Sequence, residues 1–221
     1  MEILNWYTGF ILLGLLLSVP LFFLKNSFKK QHLITFIILL LAFSLESYGS
    51  YTVPRKINNI DVYNIFFVYL ETLLILWLFE SFFESKKAKL LIKIASLLFL
   101  VWGVIYTLFI EDLYTFHTYS FSLGSFMIIL CCIYFFISIF LKDWFIDEKL
   151  PLNPLFWITT CIFLFYTSTF LYFSSITFVT DLDRNLILIL GSLKRTMSIF
   201  MYLGMGLAFY LPFLTKNTPK A

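Results

Sequence analysis

Seven apolar segments, each about 20 residues long, constrain this chain more than any other feature of its sequence. A helix of that length crosses the hydrocarbon core of a bilayer. The chain is 61% hydrophobic and only 13% charged, whereas a soluble domain carries about 25% charged residues. The sequence therefore predicts an all-α integral membrane protein, a seven-transmembrane-helix bundle that forms one domain over residues 1–221. The expected helices cover approximately 6–24, 33–51, 63–83, 90–110, 118–141, 154–178 and 186–214.

The distribution of basic residues predicts the orientation of this bundle. Of the 16 Lys and Arg residues, 11 lie at the first, third and fifth connections and in the C-terminal tail, and 3 lie in the second and sixth connections. Short cytoplasmic loops carry an excess of Lys and Arg. We therefore expect the N-terminus outside and the C-terminus inside. Residues 1–5 have no basic region, and no small-residue cleavage site follows the first apolar segment, so we expect that segment to be a retained helix.

Four charged residues lie away from the cytoplasmic ends of the predicted helices, and all four are expected in the outer half of the bilayer. They are Glu46 in the second helix, Glu71 in the third, and Lys194 with Arg195 in the seventh. A charged residue at the centre of a transmembrane helix costs about 2.5 to 3.5 kcal/mol on insertion scales, so these groups require partners or water. Helical spacing puts Arg195 on one face with Ser192 and Ser198, among others.

Two interpretations of these residues remain open. In the first, Glu46, Glu71, Lys194 and Arg195 form an outward-facing polar pocket, with Ser192 and Ser198, that binds a ligand or ion or relays protons. In the second, the same charges form an ion-pair network that holds the second, third and seventh helices in register.

The sequence contains no motif that predicts an enzyme. The nucleophile elbow, the paired-histidine zinc motif and the glycine-rich phosphate loop are absent from it. Cys131, Cys132 and Cys161 lie inside apolar segments without metal-ligand spacing, so we expect neither disulfides nor a metal site. No cofactor is predicted, and a net charge of +3 is too small to indicate a nucleic-acid partner.

His117 and Lys194 each suggest a further possibility. His117, beside Glu111 and Asp112, could form a metal or pH-sensing site at the outer surface, but a lone interfacial histidine is more often solvated, which is what we expect. Lys194 in the seventh helix invites comparison with microbial rhodopsins, with Glu71 as the counter-ion to a retinal Schiff base. The neighbouring cation, Arg195, opposes that assignment, so it is a remote alternative.

The chain also resembles a group of uncharacterised seven-helix membrane proteins of Bacteroidota. The resemblance lies in the turn Asn58-Asn59 with the following Val62-Tyr63-Asn64-Ile65, in Tyr69-Leu70-Glu71, and in Pro154-Leu155-Phe156-Trp157 at the start of the sixth helix. Members of this group are often encoded near sensor histidine kinases. The resemblance therefore implies an input or accessory role in signalling, with such a kinase as membrane partner.

These observations predict a multi-pass protein of the inner membrane that binds or senses something at its outer side. No connection exceeds about a dozen residues, so a separate soluble domain has no room in this sequence. The alternative is a small-solute or ion transporter or channel that uses the same pocket. The oligomeric state is not predicted.

Overall fold

The computed structural model describes residues 5–24, 27–141, 150–178 and 183–214, and these residues form a helical bundle without strands. Seven helices, numbered here in chain order, make up its framework. They are α1 (Trp6–Ser18), α2 (Lys29–Thr52), α3 (Ile60–Phe82), α4 (Lys86–Phe109), α5 (Thr118–Leu141), α6 (Pro154–Phe178) and α7 (Arg184–Leu207). Short 3₁₀ turns extend α1 over Val19–Phe22, α2 over Val53–Arg55 and α7 over Ala208–Tyr210.

The predicted helical bundle is confirmed. Most helix ends lie within four residues of their predicted positions, but α1 ends at Ser18 and α7 at Leu207, where the sequence predicted ends near 24 and 214. Within the described ranges, six helices are long and apolar enough to cross a membrane, judged by length and composition alone. The first helix, Trp6–Phe22, is apolar but shorter than these six. Pro20 accounts for part of this difference, because the α-helix gives way to a 3₁₀ turn at Val19. Pro154 opens α6 as its sequence position predicts.

The bundle has two ends, which we name by one residue each. The Asn5 end contains Asn5, the turn at Pro54 and the connection 110–117. The Lys29 end contains Lys29 and the connection 83–85. At the Asn5 end, the side chain of Asn5 caps α1 by accepting hydrogen bonds from the Tyr7 and Thr8 amides, both at 2.9 Å, and its Nδ2 donates to Ser50 Oγ at 3.3 Å. These contacts fasten α1 to α2.

Six helices surround a common apolar core, and α4 lies outside them against α3 and α5. The core contains large side chains with no solvent exposure, including Ile75, Phe79 and Phe135. The outer face of α4, in contrast, exposes aliphatic side chains such as Leu97 and Leu98, each at 63%. An apolar outer surface of this kind is compatible with lipid as its solvent.

α1 and α7 cross at two glycines. A β-carbon on Gly206 would contact the backbone of Gly14, and one on Gly14 would lie 2.6 Å from the Tyr202 carbonyl oxygen. Small residues let two helix backbones approach this closely, and they are enriched at helix contacts in membranes. Further along, Tyr210 Oη donates to the Leu17 carbonyl at 2.7 Å. The first and seventh helices are therefore neighbours, and α1 packs against α7 from Ser198 toward its C-terminal end.

α3 is not a uniform α-helix. Residues Asn64–Glu71 form wider π-helical turns between α-helical Ile60–Tyr63 and Thr72–Phe82. Asn64 fixes the start of this segment, because its Nδ2 donates to the carbonyls of Leu113 at 2.9 Å and Thr115 at 2.6 Å. π-helical turns are uncommon and occur frequently at functional sites. The segment ends at Glu71, one of the predicted site residues.

Candidate functional site

A cavity of about 980 Å³ lies at the Asn5 end of the bundle, between α1, α2, α3, α6 and α7. Three charged side chains line it: Glu46 from α2, and Lys194 and Arg195 from α7. Ser192 and Ser198 line it as well. Five of the six residues predicted to form the site therefore meet at one cavity.

The two cations contact aromatic rings of the cavity wall. Lys194 Nζ lies 4.4 Å from the ring centroid of Tyr172 and 5.0 Å from that of Phe173. The guanidinium carbon of Arg195 lies 6.0 Å from the ring centroid of Tyr7. Cations at such distances are attracted to the negative face of an aromatic ring. The side chain of Arg195 remains exposed, and Lys194 is half-buried.

The two serines of α7 have different environments. Ser198 is buried, and its Oγ donates to the Arg195 carbonyl at 2.8 Å and lies 2.9 Å from Tyr7 Oη, so it joins α7 to α1. Ser192 is exposed at the rim, and its carbonyl accepts a hydrogen bond from Thr196 Oγ1 at 2.9 Å. Of these two serines, Ser198 is therefore the one that contributes to the packing of α7 against α1.

Glu71 does not line the cavity. Its side chain is fully buried beneath the cavity floor, where Oε1 accepts a hydrogen bond from Tyr202 Oη at 3.2 Å. Tyr202 lines the cavity, so its ring forms part of the floor and its hydroxyl contacts the carboxyl group below. Tyr202 follows Arg195 by seven residues and so lies on the same face of α7, but no residue pattern indicated that its hydroxyl contacts Glu71 on α3.

The second carboxyl oxygen of Glu71 has no hydrogen-bond partner among the described residues, although it is buried. The hydroxyl of Tyr166 on α6, also buried, likewise lacks a partner there. We call Glu71, Tyr166 and Tyr202 the Glu71 cluster. Leaving a buried polar atom without a hydrogen bond costs about 1 to 3 kcal/mol. The Glu71 cluster is therefore an unfavourable arrangement for stability alone.

Among the described residues, neither Glu46 nor Glu71 forms the predicted ion pair with Lys194 or Arg195. Among the described residues, ion pairs are formed by Glu80, with Lys30 and Lys93 at 3.7 Å each, near the Lys29 end. Glu46 interacts electrostatically with Lys194 and Arg195 without such a pair, and Glu71 contacts Tyr202 instead of Arg195. The structure thus joins α3 to α7 through a hydroxyl and not through opposite charges. The pocket hypothesis stays a prediction.

The aromatic walls of the cavity were missed by reasoning from sequence. They include Tyr7, Tyr63, Phe67, Phe116, Tyr172 and Phe173. These side chains come from α1, α3, the connection before α5, and α6, and aromatic residues are so frequent in all apolar segments that their positions carried no signal. Glu71 as the counter-ion of a Schiff base at Lys194 is also disfavoured, because Glu71 lies outside the cavity that contains Lys194.

His117 corrects the sequence interpretation. The expectation of a solvated histidine at the surface is wrong, because the side chain is fully buried. Its Nδ1 lies 2.7 Å from Tyr69 Oη, and its Nε2 lies 2.9 Å from the Asp112 carbonyl. Both ring nitrogens are therefore engaged within the protein. Among the described residues, no group of three or more His, Cys, Asp or Glu side chains could hold a metal ion.

The hydrogen bonds around His117 form a complete set, which we call the His117 network: Asn64, Tyr69, Trp102, His117 and Ser120. Since a carbonyl only accepts, His117 Nε2 donates to Asp112, and Nδ1 accepts from Tyr69. Ser120 Oγ lies 3.1 Å from Tyr69 Oη and accepts from Trp102 Nε1 at 3.1 Å. Every donor and acceptor named here has a partner, so this network is well suited to hold α3, α4 and α5 together.

Comparison with known proteins supplied no relative. No protein-family model, no curated protein and no solved structure matches the chain.

Proposed function

We propose that this chain is a multi-pass protein of the inner membrane, with its N-terminus outside, that binds a small organic anion in the cavity at the Asn5 end and acts as a receptor-like component. One observation carries the proposal: Lys194 and Arg195 line that cavity without an ion pair to any described residue. Two cations against the single carboxylate of Glu46 favour a ligand with a negative charge.

The shape and walls of the cavity support a small organic ligand. Its volume of about 980 Å³ is at the upper end of the range for small-molecule sites, which is about 300 to 1,000 Å³. The aromatic side chains of Tyr7, Tyr172 and Phe173 supply an apolar surface beside the cations. Such sites combine apolar walls with a few polar groups that orient the ligand. A carboxylate with an aromatic body fits both features.

The floor of the cavity favours a receptor over a channel. Below Tyr202, the bundle is filled by side chains with no exposure, such as Ile75, Ile162 and Met205. A solute that crossed the bundle would have to displace this core, which is close-packed in proteins. Binding at the floor could instead move Tyr202, and its hydrogen bond transmits that movement to Glu71 and the π-helical turns of α3.

The connections between the predicted spans are too short to form a separate signalling domain. A signal from the cavity would therefore pass to a partner protein. The resemblance to the Bacteroidota group suggests a sensor histidine kinase in the same membrane. The basic Lys29 end, cytoplasmic by the positive-inside rule, would then face the partner's cytoplasmic portion.

Transport remains the second candidate, since one specific observation favours it. The buried carboxyl of Glu71, with one unpartnered oxygen directly beneath the cavity, is the kind of intramembrane group that proton and ion pathways use. In this case the cavity and the Glu71 cluster would be successive positions along one route.

Binding to the purified full-length protein tests the proposal. Calorimetric titration with phenylacetate, benzoate and 3-phenylpropionate is expected to show saturable binding of at least one probe, and Arg195→Gln is expected to weaken it about tenfold or more, as for a lost charge-assisted hydrogen bond of about 1.5 to 3 kcal/mol. Arg184→Gln is the matched control, because Arg184 is an exposed arginine of the same helix that does not line the cavity.

Reconstitution separates the two candidates. Liposomes that contain this protein alone are expected to bind the probe without accumulating it. Uptake of the labelled probe in the absence of any other protein would replace the receptor proposal by the transport one. If none of the anionic probes binds, or if Arg184→Gln weakens binding as much as Arg195→Gln, the cavity is not the anion site.

A further inference from the structure

A second cavity lies at the opposite end of the bundle, remote from the one just described. It is a groove of about 520 Å³ between α3, α4 and α5, near the Lys29 end, and we call it the α4–α5 groove. Its walls are almost entirely apolar: Leu76, Phe83, Ile92, Met127, Leu130 and Tyr134. At the end of the groove, the rings of Phe83 and Tyr134 pack edge to face with centroids 4.9 Å apart.

The groove exists because small side chains face each other across it. Ala88 and Ala95 are seven residues apart, which is two helical turns, so they lie on one face of α4. Cys131 lines the groove from α5. Larger side chains at Ala88, Ala95 or Cys131 would fill the groove, whereas these three small ones leave it open. The groove therefore runs between α4 and α5 at this end of the bundle.

The groove is open toward the outer surface of the bundle. Leu91, 66% exposed, and Leu130, 48% exposed, form part of its lining. From Ser85 to Ala95 the helix rises about 15 Å, at about 1.5 Å per residue. That length equals half of the hydrocarbon core of a bilayer, which is about 30 Å thick. The groove therefore matches the depth of one leaflet.

One end of the groove is basic. Lys87 and Ser85 belong to its lining, and Lys86 and Lys89 lie beside them on the first turn of α4. None of these three lysines forms an ion pair with a described residue; the ion pairs near this end join Glu80 to Lys30 and Lys93. The groove thus combines an apolar channel with unpaired positive charge at its mouth.

We infer that the α4–α5 groove binds an anionic phospholipid, with one acyl chain along Ala88 and Ala95 and the phosphate at Lys87. The complementarity is twofold: an apolar chain suits the walls, and an anionic headgroup suits the lysines. The inference rests on the membrane location within the proposed function, but not on the anion cavity at the Asn5 end. The site would favour an anionic lipid over a zwitterionic one, which a purely apolar surface would not.

Lipid binding to the delipidated full-length protein tests this inference. Native mass spectrometry would measure the affinities of phosphatidylglycerol and of phosphatidylcholine with identical acyl chains. We expect phosphatidylglycerol to bind more tightly, and we expect Lys87→Gln to reduce that preference about fivefold, the effect of one lysine near a membrane surface. Lys29→Gln removes an equal charge at the same end from a residue that does not line the groove, so it should leave the preference unchanged.

A second variant tests the apolar part of the site. Ala95→Phe places a ring in the groove and should weaken the binding of both lipids, whereas glycerol phosphate, which lacks acyl chains, should not compete with either. Equal affinities for the two lipids, an equal loss in Lys29→Gln, or effective competition by glycerol phosphate would overturn the inference. A protein dimer that dissociates in Ala95→Phe would assign the groove to a second copy instead. None of these results affects the anion titration.

Discussion

The His117 network and the Glu71 cluster are both buried polar groups that contact α3, yet they differ in how fully their atoms are hydrogen-bonded. In the His117 network, the ring nitrogens, the Tyr69 hydroxyl, the Trp102 indole and the Ser120 hydroxyl all have partners. In the Glu71 cluster, one carboxyl oxygen and the Tyr166 hydroxyl have none among the described residues.

This difference distinguishes buried polar groups that stabilise the fold from buried polar groups that serve another purpose. A satisfied buried network rigidifies the fold, because each group holds its neighbours in one orientation. An unsatisfied group weakens the fold by about 1 to 3 kcal/mol and is retained for another reason, such as contact with a ligand, water or proton. The Glu71 cluster is joined by Tyr202 to the cavity at the Asn5 end. We therefore expect the first group to contribute to stability and the second to take part in the proposed function.

The largest effect that would test this comparison is expected for Asn64→Leu. Asn64 donates to two carbonyls and accepts from the His117 amide at 3.0 Å, so the substitution removes the hydrogen-bond partner of three backbone groups, of which the His117 amide is buried. We expect a loss of about 4 kcal/mol in the free energy of unfolding, measured in mixed detergent micelles. Asn58→Leu, at an exposed position near the same connection, is the control and should cost about 1 kcal/mol or less. Comparable losses in the two variants would contradict a structural role for Asn64.

A matched pair of tyrosine substitutions compares the two groups directly. Tyr69→Phe removes a hydroxyl that contacts His117 and Ser120 and should destabilise the protein by about 2 kcal/mol. Tyr166→Phe removes an unpartnered hydroxyl and should stabilise it by about 1 kcal/mol. The same atom is deleted in both variants, so opposite signs in the unfolding free energy would be decisive. Equal losses of unfolding free energy in the two variants would contradict the difference between the His117 network and the Glu71 cluster.

The smallest effect on stability is expected for the double variant Glu71→Leu, Tyr202→Phe. Replacing both partners of a buried hydrogen bond with apolar groups of similar shape is often nearly neutral. We expect the unfolding free energy to change by no more than about 1 kcal/mol, while the protein no longer passes a conformational change from the cavity to α3. Hydrogen exchange of residues 64–71, with and without the anionic probe, measures that transmission. A double variant as unstable as Asn64→Leu would make the Glu71 cluster structural after all.

The positions of the helices along the chain were predictable because they depend on local composition. Hydropathy placed the limits of α5 and α6 at the residues observed, and Pro154 marked the start of α6. The shared depth of Glu46, Lys194 and Arg195 was also predictable, since each lies at a comparable distance from the Asn5 end of its helix. For these features, position along one helix carries all the information needed.

The contacts between helices were not predictable in the same way. Which ring faces Lys194, or which hydroxyl reaches Glu71, depends on helix rotation and adjacency, and neither follows from order along the chain. The burial of His117 depends on a turn in the connection 110–117 that folds back on α3. The π-helical turns of α3 likewise change which residues face inward, and no residue pattern announced them.

The crossing of α1 and α7 at Gly14 and Gly206 has a consequence for the order of assembly. These two residues are separated by nearly the whole described chain, so their contact cannot form while the later helices are still being synthesised. The Tyr7–Ser198 contact depends on the same pair of helices. One wall of the cavity therefore closes last, after the other helices have been inserted. A partly synthesised chain would have the His117 network in place before the cavity at the Asn5 end is complete.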